Sequence, residues 1–330
     1  MRSDIVIQAQ ELTIGYRQGR KVKKVHEGLS FTLRQGELTC LLGPNGAGKS
    51  TLLRTLGGTQ SPIAGDILLE ERSLTAYTEK EISRKIGLVL TDRTMTGGLT
   101  VFDLVSLGRH PHTGFFGRLQ KKDKDIICQA MEAVGIAAKA ESYVAELSDG
   151  ERQKVMIAKA LAQECPFLLL DEPTAFLDVV SRIEIMDLLH DLAVKKGKTV
   201  LLSTHDLEQA LLLGDRLWLL AREKGFVCGT PEDLIFSGAI NRFFARNEIV
   251  FDRGKGNFRP QMQKEKEITV KAKGELLFWT LNALARNGFQ IEENAGLILE
   301  VLSPYDFRLK EKNNSINVFT SFENLIAYLK

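Results

Sequence analysis

Nine consecutive residues, Gly43, Pro44, Asn45, Gly46, Ala47, Gly48, Lys49, Ser50 and Thr51, follow the apolar run Leu38 to Leu42 with the spacing of a phosphate-binding loop. In such a loop successive backbone N–H groups turn inward around a phosphate, and a Cβ at the glycine positions would crowd the ligand. Lys49 is spaced to reach the β- and γ-phosphates, and the Ser50 hydroxyl is a hard oxygen ligand for Mg²⁺. A helix opening at Ser50 adds its positive end to the same anion. The implied chemistry is that of a nucleoside triphosphate with Mg²⁺.

Further along, Phe167 to Leu170 is a buried-strand pattern that ends on Asp171 and Glu172. Phosphate sites open at such strand ends, where Asp171 suits a magnesium ion and Glu172 suits an attacking water. Two adjacent acids at a strand end also describe a solvated turn, and the phosphate loop earlier in the chain favours the catalytic reading. Ser148, within Leu147 to Gln153, precedes an apolar-faced helix, so it is either an ordinary N-cap or part of a positive helix end that receives a phosphate. His205, in Ser203-Thr204-His205-Asp206, ends another apolar strand; an Nε2–H there could reach a γ-phosphate oxygen, although a lone histidine in such a place is more often structural.

These residues need an α/β frame. Ile5 to Ile14 and Leu29 to Leu33 alternate like half-buried strands, whereas Leu38 to Leu42, Phe167 to Leu170 and Thr199 to Ser203 are the continuous apolar runs of buried parallel strands. Thr100 with Asp103 marks a helix start, Ile126 to Val134 is amphipathic, and Val155, Ala158, Leu161 and Ala162 share a helical face. After about residue 250, Gly254 to Asn257 and the charged run Lys264 to Glu267 read as a linker. Beyond it come strand Ile268–Ala272, helix Glu275–Arg286, strand Leu297–Leu302, strand Ile316–Phe319 and a last helix with a Thr320/Glu323 capping box.

The 330 residues suit one large domain and one small one. With 44 Lys and Arg against 42 Asp and Glu, the chain offers no electrostatic case for nucleic acid. No apolar run approaches the ~20 residues that span a bilayer, and Met1 to Gln8 lacks a secretory core. Cys40, Cys128, Cys165 and Cys228 form no CxxC pair, which argues for a reducing compartment.

Taken together, Gly43 to Thr51, Leu147 to Glu151, Phe167 to Glu172, Leu177-Asp178 and His205 resemble the ATP-binding-cassette ATPase family over about residues 5 to 245. The resemblance implies an α/β P-loop NTPase core with an antiparallel N-terminal β-subdomain and a helical subdomain at about 95–165, within an ATPase domain at 1–250. The small α+β appendage at 251–330 is read from its own strand and helix pattern and has no counterpart in that resemblance. The resemblance implies that Tyr16 stacks on adenine, though a Tyr ending a strand also serves packing. It further implies a head-to-tail homodimer in which Ser148 and Gly150 of one chain complete the γ-phosphate site of Lys49, Ser50, Asp171, Glu172 and His205 in the other. The GRxPxxG stretch from Gly108 to Gly114, followed by Phe115 and Phe116, resembles the insert of importers of iron-siderophores, haem and cobalamin. Those work on the cytoplasmic face of the membrane with separate permease subunits and an extracytoplasmic binding protein. A permease-free cassette of an assembly complex, such as an iron–sulfur scaffold, is the alternative.

Two departures mark the site. Thr91 stands where the family has a glutamine that contacts Mg²⁺, with Asp92 as a rival ligand, and the signature carries Asp149 and Glu151 where glycine and glutamine are usual.

Overall fold

The structure, a computed structural model, describes residues 5–19, 21–90, 98–114, 117–245, 249–260, 266–311 and 315–330. Thr91, Asp92, Phe115 and Phe116 lie outside the described residues. The chain divides into two units, residues 1–245 with 251–257, and residues 246–250 with 258–330.

In the first unit, β1 (Ile5–Gln18) and β2 (Lys21–Arg34) pair antiparallel, burying Ile7, Ala9, Leu12, Leu29, Phe31 and Leu33. Both strands run well past the alternating stretches, because Gly15 to Gln18 pair with Lys21 to Lys24 and extend the ladder. After β3 (Leu38–Leu42) and α1 (Lys49–Leu56), β4 (Ala64–Leu69) and β5 (Arg72–Ser73) complete a four-stranded sheet in the order β2-β1-β4-β5. Next come α2 (Glu79–Lys85) and β6 (Ile86–Val89), and then a helical excursion of α3 (Val101–Ser106), α4 (Lys121–Ala133) and α5 (Asp149–Ala162). The chain returns through β7 (Phe167–Asp171), α6 (Val179–Val194), β8 (Thr199–Thr204), α7 (Leu207–Leu213), β9 (Arg216–Ala221) and β10 (Gly225–Gly229).

The second sheet runs β10-β9-β3-β8-β7-β6, parallel except for the β10 edge. Its central strands are buried on both faces, which is why β3, β7 and β8 read as unbroken apolar runs. An aromatic cluster ties the two sheets together, with Phe31 of β2 4.3 Å from Trp218 of β9 and Phe226 of β10 edge-on to Trp218. The unit closes with α8 (Pro231–Phe236) and α9 (Ala239–Phe244).

β11 (Ile249–Asp252) and β12 (Asn257–Pro260) form a hairpin, so Gly254 to Gly256 lie in its turn and Asn257 opens β12, where a linker was expected. The Asp252 carboxylate makes the turn by accepting from Gly254 N (2.9 Å) and Lys255 N (3.2 Å). Lys266 and Glu267, expected in the charged linker, open β13 (Lys266–Lys271).

The second unit continues with α10 (Gly274–Arg286), β14 (Phe289–Ile291), β15 (Ile298–Ser303), β16 (Asp306–Lys310), β17 (Ile316–Phe319) and α11 (Phe322–Leu329). Its sheet, β14-β13-β15-β16-β17, buries Ile268, Leu299, Val301, Phe307 and Leu309 against Leu284 of α10 and Leu325 and Leu329 of α11. α11 is capped by Ser321, which accepts from Asn324 N at 3.2 Å, and not by the Thr320/Glu323 box. The helix starts one residue later than the box requires, and Ser supplies the same hydroxyl. Among the described residues no helix is long and apolar enough to cross a membrane.

Candidate functional site

Three neighbouring strands end side by side. β8 lies between β3 and β7, with Leu42 opposite Thr204 and Ser203 opposite Asp171, so the residues that follow these strands emerge along one edge of the sheet. The phosphate loop, Glu172 and His205 therefore share that edge.

The loop is shaped by close backbone approach. A Cβ on Gly43 would lie 2.2 Å from the Leu220 carbonyl oxygen, which excludes any side chain there. Gly48 has φ of 100°, in the left-handed region that glycine tolerates, and a Cβ there would meet Val25 Cγ1 at 2.6 Å. Ala47 N donates to Pro44 O, and α1 begins at Lys49 with Gly48 as its N-cap. Ser50 and Thr51 fall in the first helical turn, where the helix offers unpaired N–H groups to an anion.

Lys49 is buried and curls back over the loop, its Nζ donating to Gly43 O at 2.9 Å. Burial lowers its pKa, and the charges of Glu172 and Asp171 work against that shift. The ammonium lies 3.7 Å from Glu172 Oε1 and 3.1 Å from His205 Nε2, while His205 Nε2 is 2.7 Å from Glu172 Oε1. One ring nitrogen cannot serve both neighbours: with a proton it donates to Glu172, and without one it accepts from Lys49. Lys49, Glu172 and His205 thus form a close triad of cation, carboxylate and switchable donor.

Glu172 has φ of 49°, an uncommon backbone for a residue with a side chain, and such strain is concentrated at functional sites. Ser203 holds it. The Ser203 hydroxyl accepts from Glu172 N at 2.9 Å and donates to Asp171 Oδ1 at 2.6 Å. One buried hydroxyl therefore orients both acidic positions. Its role rests on the parallel register of β7 and β8, which no local spacing reveals. A second residue that sequence reasoning missed is His26 of β2, buried with its Nε2 2.7 Å from Ala47 O.

Ser50 supplies a hydroxyl oxygen and Asp171 a carboxylate, a hard donor set that fits magnesium completed by phosphate oxygens and water. Tyr16 is 43% exposed, and its hydroxyl lies 2.6 Å from Thr51 Oγ1. The ring is thereby fixed to the phosphate-loop helix while its face stays open.

Ser148 belongs to a different place in the unit, the N-cap of α5. Its Oγ accepts from Glu151 N, and Glu151 accepts in turn from Ser148 N at 2.9 Å and from Ser148 Oγ at 3.0 Å. Lys139 sits 2.5 Å from the other Glu151 oxygen. The hydrogen bond from Lys139, reinforced by the Ser148 backbone, pulls the Glu151 pKa down to about 2. Asp149, the other unusual acid, pairs with Arg152 at 2.5 Å. Both added carboxylates are thus matched by a cation. No bond among the described residues joins Ser148 or Gly150 to Lys49, Glu172 or His205.

The GRxPxxG stretch has a structural basis. A Cβ on Gly108 would be 2.2 Å from Lys159 O, so glycine is needed to lay this segment on α5. Arg109, 3% exposed, donates to Asp123 of α4 (2.9 Å), to Ala162 O at the end of α5 (2.7 Å) and to Glu164 (2.8 Å). The helical excursion is pinned to the helix that Ser148 caps.

A family model described as ABC transporter matches residues 26–175, and one described as Iron ABC transporter C-terminal domain matches residues 264–330. The chain is 37% identical over 288 residues to an uncharacterized ABC transporter ATP-binding protein of Methanocaldococcus jannaschii, covering 87% of this chain and 98% of that one. It is 38% identical over 246 residues to the ferric enterobactin transport ATP-binding protein FepC of Escherichia coli strain K12, covering 74% and 89%. Among solved structures, a dimeric bacterial ABC transporter cassette superposes with a TM-score of 0.62 at 26% identity, covering 68% of this chain and 98% of that one.

Proposed function

The chain belongs to the ABC transporter ATP-binding family, whose members are ATPases coupled to transport, and from that premise we propose that it drives import of a metal chelate, such as an iron-siderophore, haem or cobalamin, through a separate integral-membrane permease. It acts from the cytoplasmic face as a head-to-tail homodimer, with an extracytoplasmic binding protein presenting the cargo. The observation that carries the catalytic part is the triad of Lys49, at the start of α1, with Glu172 and His205, which follow β7 and β8. The cargo class is supported by the likeness to the ferric enterobactin transport protein and by the match to the iron transporter C-terminal domain.

In this reading the loop N–H groups and Lys49 bind the β- and γ-phosphates, which draws Lys49 away from Glu172. His205 in its Nε2–H form donates to a γ-phosphate oxygen. Glu172 accepts a proton from the water whose oxygen attacks the γ-phosphorus, as the bond to the ADP oxygen breaks. Ser50 and Asp171, with Thr91 as the third ligand of this reading, would hold Mg²⁺, which would neutralise phosphate charge. Tyr16 stacks on adenine. Ser148 and Gly150 of a second copy complete the γ-phosphate site, which explains why they stand apart from it within one chain.

Isolation of the endogenous complex through this chain, followed by reconstitution in vesicles, tests the transport reading. A co-purifying permease with ATP-dependent uptake of a ferric chelate is expected; a transporter-free soluble assembly would support the scaffold alternative instead.

A further inference from the structure

His26 is a buried imidazole 6% exposed, directly beneath the phosphate loop. Its position follows from β2: the Phe31–Trp218 contact anchors that strand to the parallel sheet, and Val25 and His26 face the loop at Gly48. The crowding is tight, since a Cβ on Gly48 would lie 2.6 Å from Val25 Cγ1 and 3.4 Å from His26 Cδ2. His26 Nε2 is 2.7 Å from Ala47 O. A carbonyl oxygen only accepts, so this ring nitrogen must carry the proton. Burial lowers the pKa of the ring, with the Arg222 charge acting in the same direction and the Ala47 bond opposing them. The neutral Nε2–H tautomer meets both conditions.

Ala47 O and Gly48 N–H belong to one peptide group. No described group accepts the Gly48 N–H, which lies in the run of amides that a phosphate loop offers to its ligand. A hydrogen bond to the carbonyl end of a peptide polarises its N–H end, and it fixes the plane of the peptide. We propose that His26 is a positioning residue for nucleotide binding: its Nε2–H, donated to Ala47 O, sets the orientation of the Ala47–Gly48 peptide and strengthens the Gly48 N–H as a phosphate donor. The proposal rests on the reading of residues 43–51 as the nucleotide phosphate site.

Gln and Met differ little in shape, but only Gln brings an N–H to the place of Nε2. ADP titrated into the full chain should bind His26→Met about five- to tenfold more weakly than the unmodified protein, the size of one buried hydrogen bond. His26→Gln should stay within about twofold. The Gly48 amide proton of the ADP complex should move upfield in His26→Met and return in His26→Gln, a signature that lost packing alone would not separate between two variants of equal volume. Equal ADP affinity in the two variants, with an unchanged Gly48 amide, would overturn the proposal. Nitrogen-15 spectra of the unmodified chain supply a measurement that needs no variant: the Nε2–H tautomer at His26 is expected, and the Nδ1–H tautomer would overturn the proposal. Lys49→Ala separates the two levels, because ADP binding that survives it unchanged would remove the phosphate-site reading itself.

Discussion

At the residue scale, Lys49 and Glu172 sit 3.7 Å apart and have separable duties. Lys49→Ala removes a cation from the phosphates and should weaken both ATP binding and turnover. Glu172→Gln keeps size and hydrogen bonding but loses the proton acceptor, so turnover should fall by about 10²–10⁴-fold while ATP is retained. Equilibrium binding beside steady-state hydrolysis distinguishes the two, and normal turnover in Glu172→Gln would refute its assignment. The loop and the two acids could be singled out in the sequence because each belongs to a short stretch with its own spacing, whereas His205 was marked out from a structural histidine only by the family resemblance. Ser203 and His26 were not legible, since each reaches a residue distant in sequence: Ser203 bonds Asp171 of β7 and Glu172 just after it, and His26 bonds Ala47, 21 positions away.

At the element scale, α5 and the segments pinned to it carry two tests. Glu151 has a pKa of about 2 against an ordinary 4.5, so its bonds to Lys139 and Ser148 stabilise the folded chain above pH 4.5, and that stability is lost as pH falls toward 2. Melting curves of the native chain and Glu151→Gln should differ most near neutrality and converge in acid; a constant difference would show that the charge contributes nothing. Arg109→Met leaves Asp123 partly buried without its cation, a change that costs about 3–5 kcal/mol in comparable pairs, and amide exchange in α3 and α4 should accelerate accordingly. Arg109→Lys should recover little, because one ammonium cannot span three acceptors. Long periodic helices and unbroken buried strands were readable, whereas the short, half-exposed β14 and β16 lacked a pattern strong enough to mark them.

At the scale of the whole molecule, residues 251–257 group with the first unit, so a chain ending at Asn257 keeps that unit entire. Such a truncation should bind ATP as the full chain does, and loss of binding by a folded truncation would show that the second unit serves the site. The central claim is that hydrolysis needs parts from two copies, with Lys49 and Glu172 in one and Ser148 in the other. It is tested most directly by mixing Ser148→Arg protomers with Lys49→Ala protomers. Each parent has two defective sites, whereas a heterodimer has one site with both defects and one with neither. ATPase activity of the mixture well above either parent is predicted; a mixture no more active than its parents, with heterodimers shown to form, would contradict the shared site.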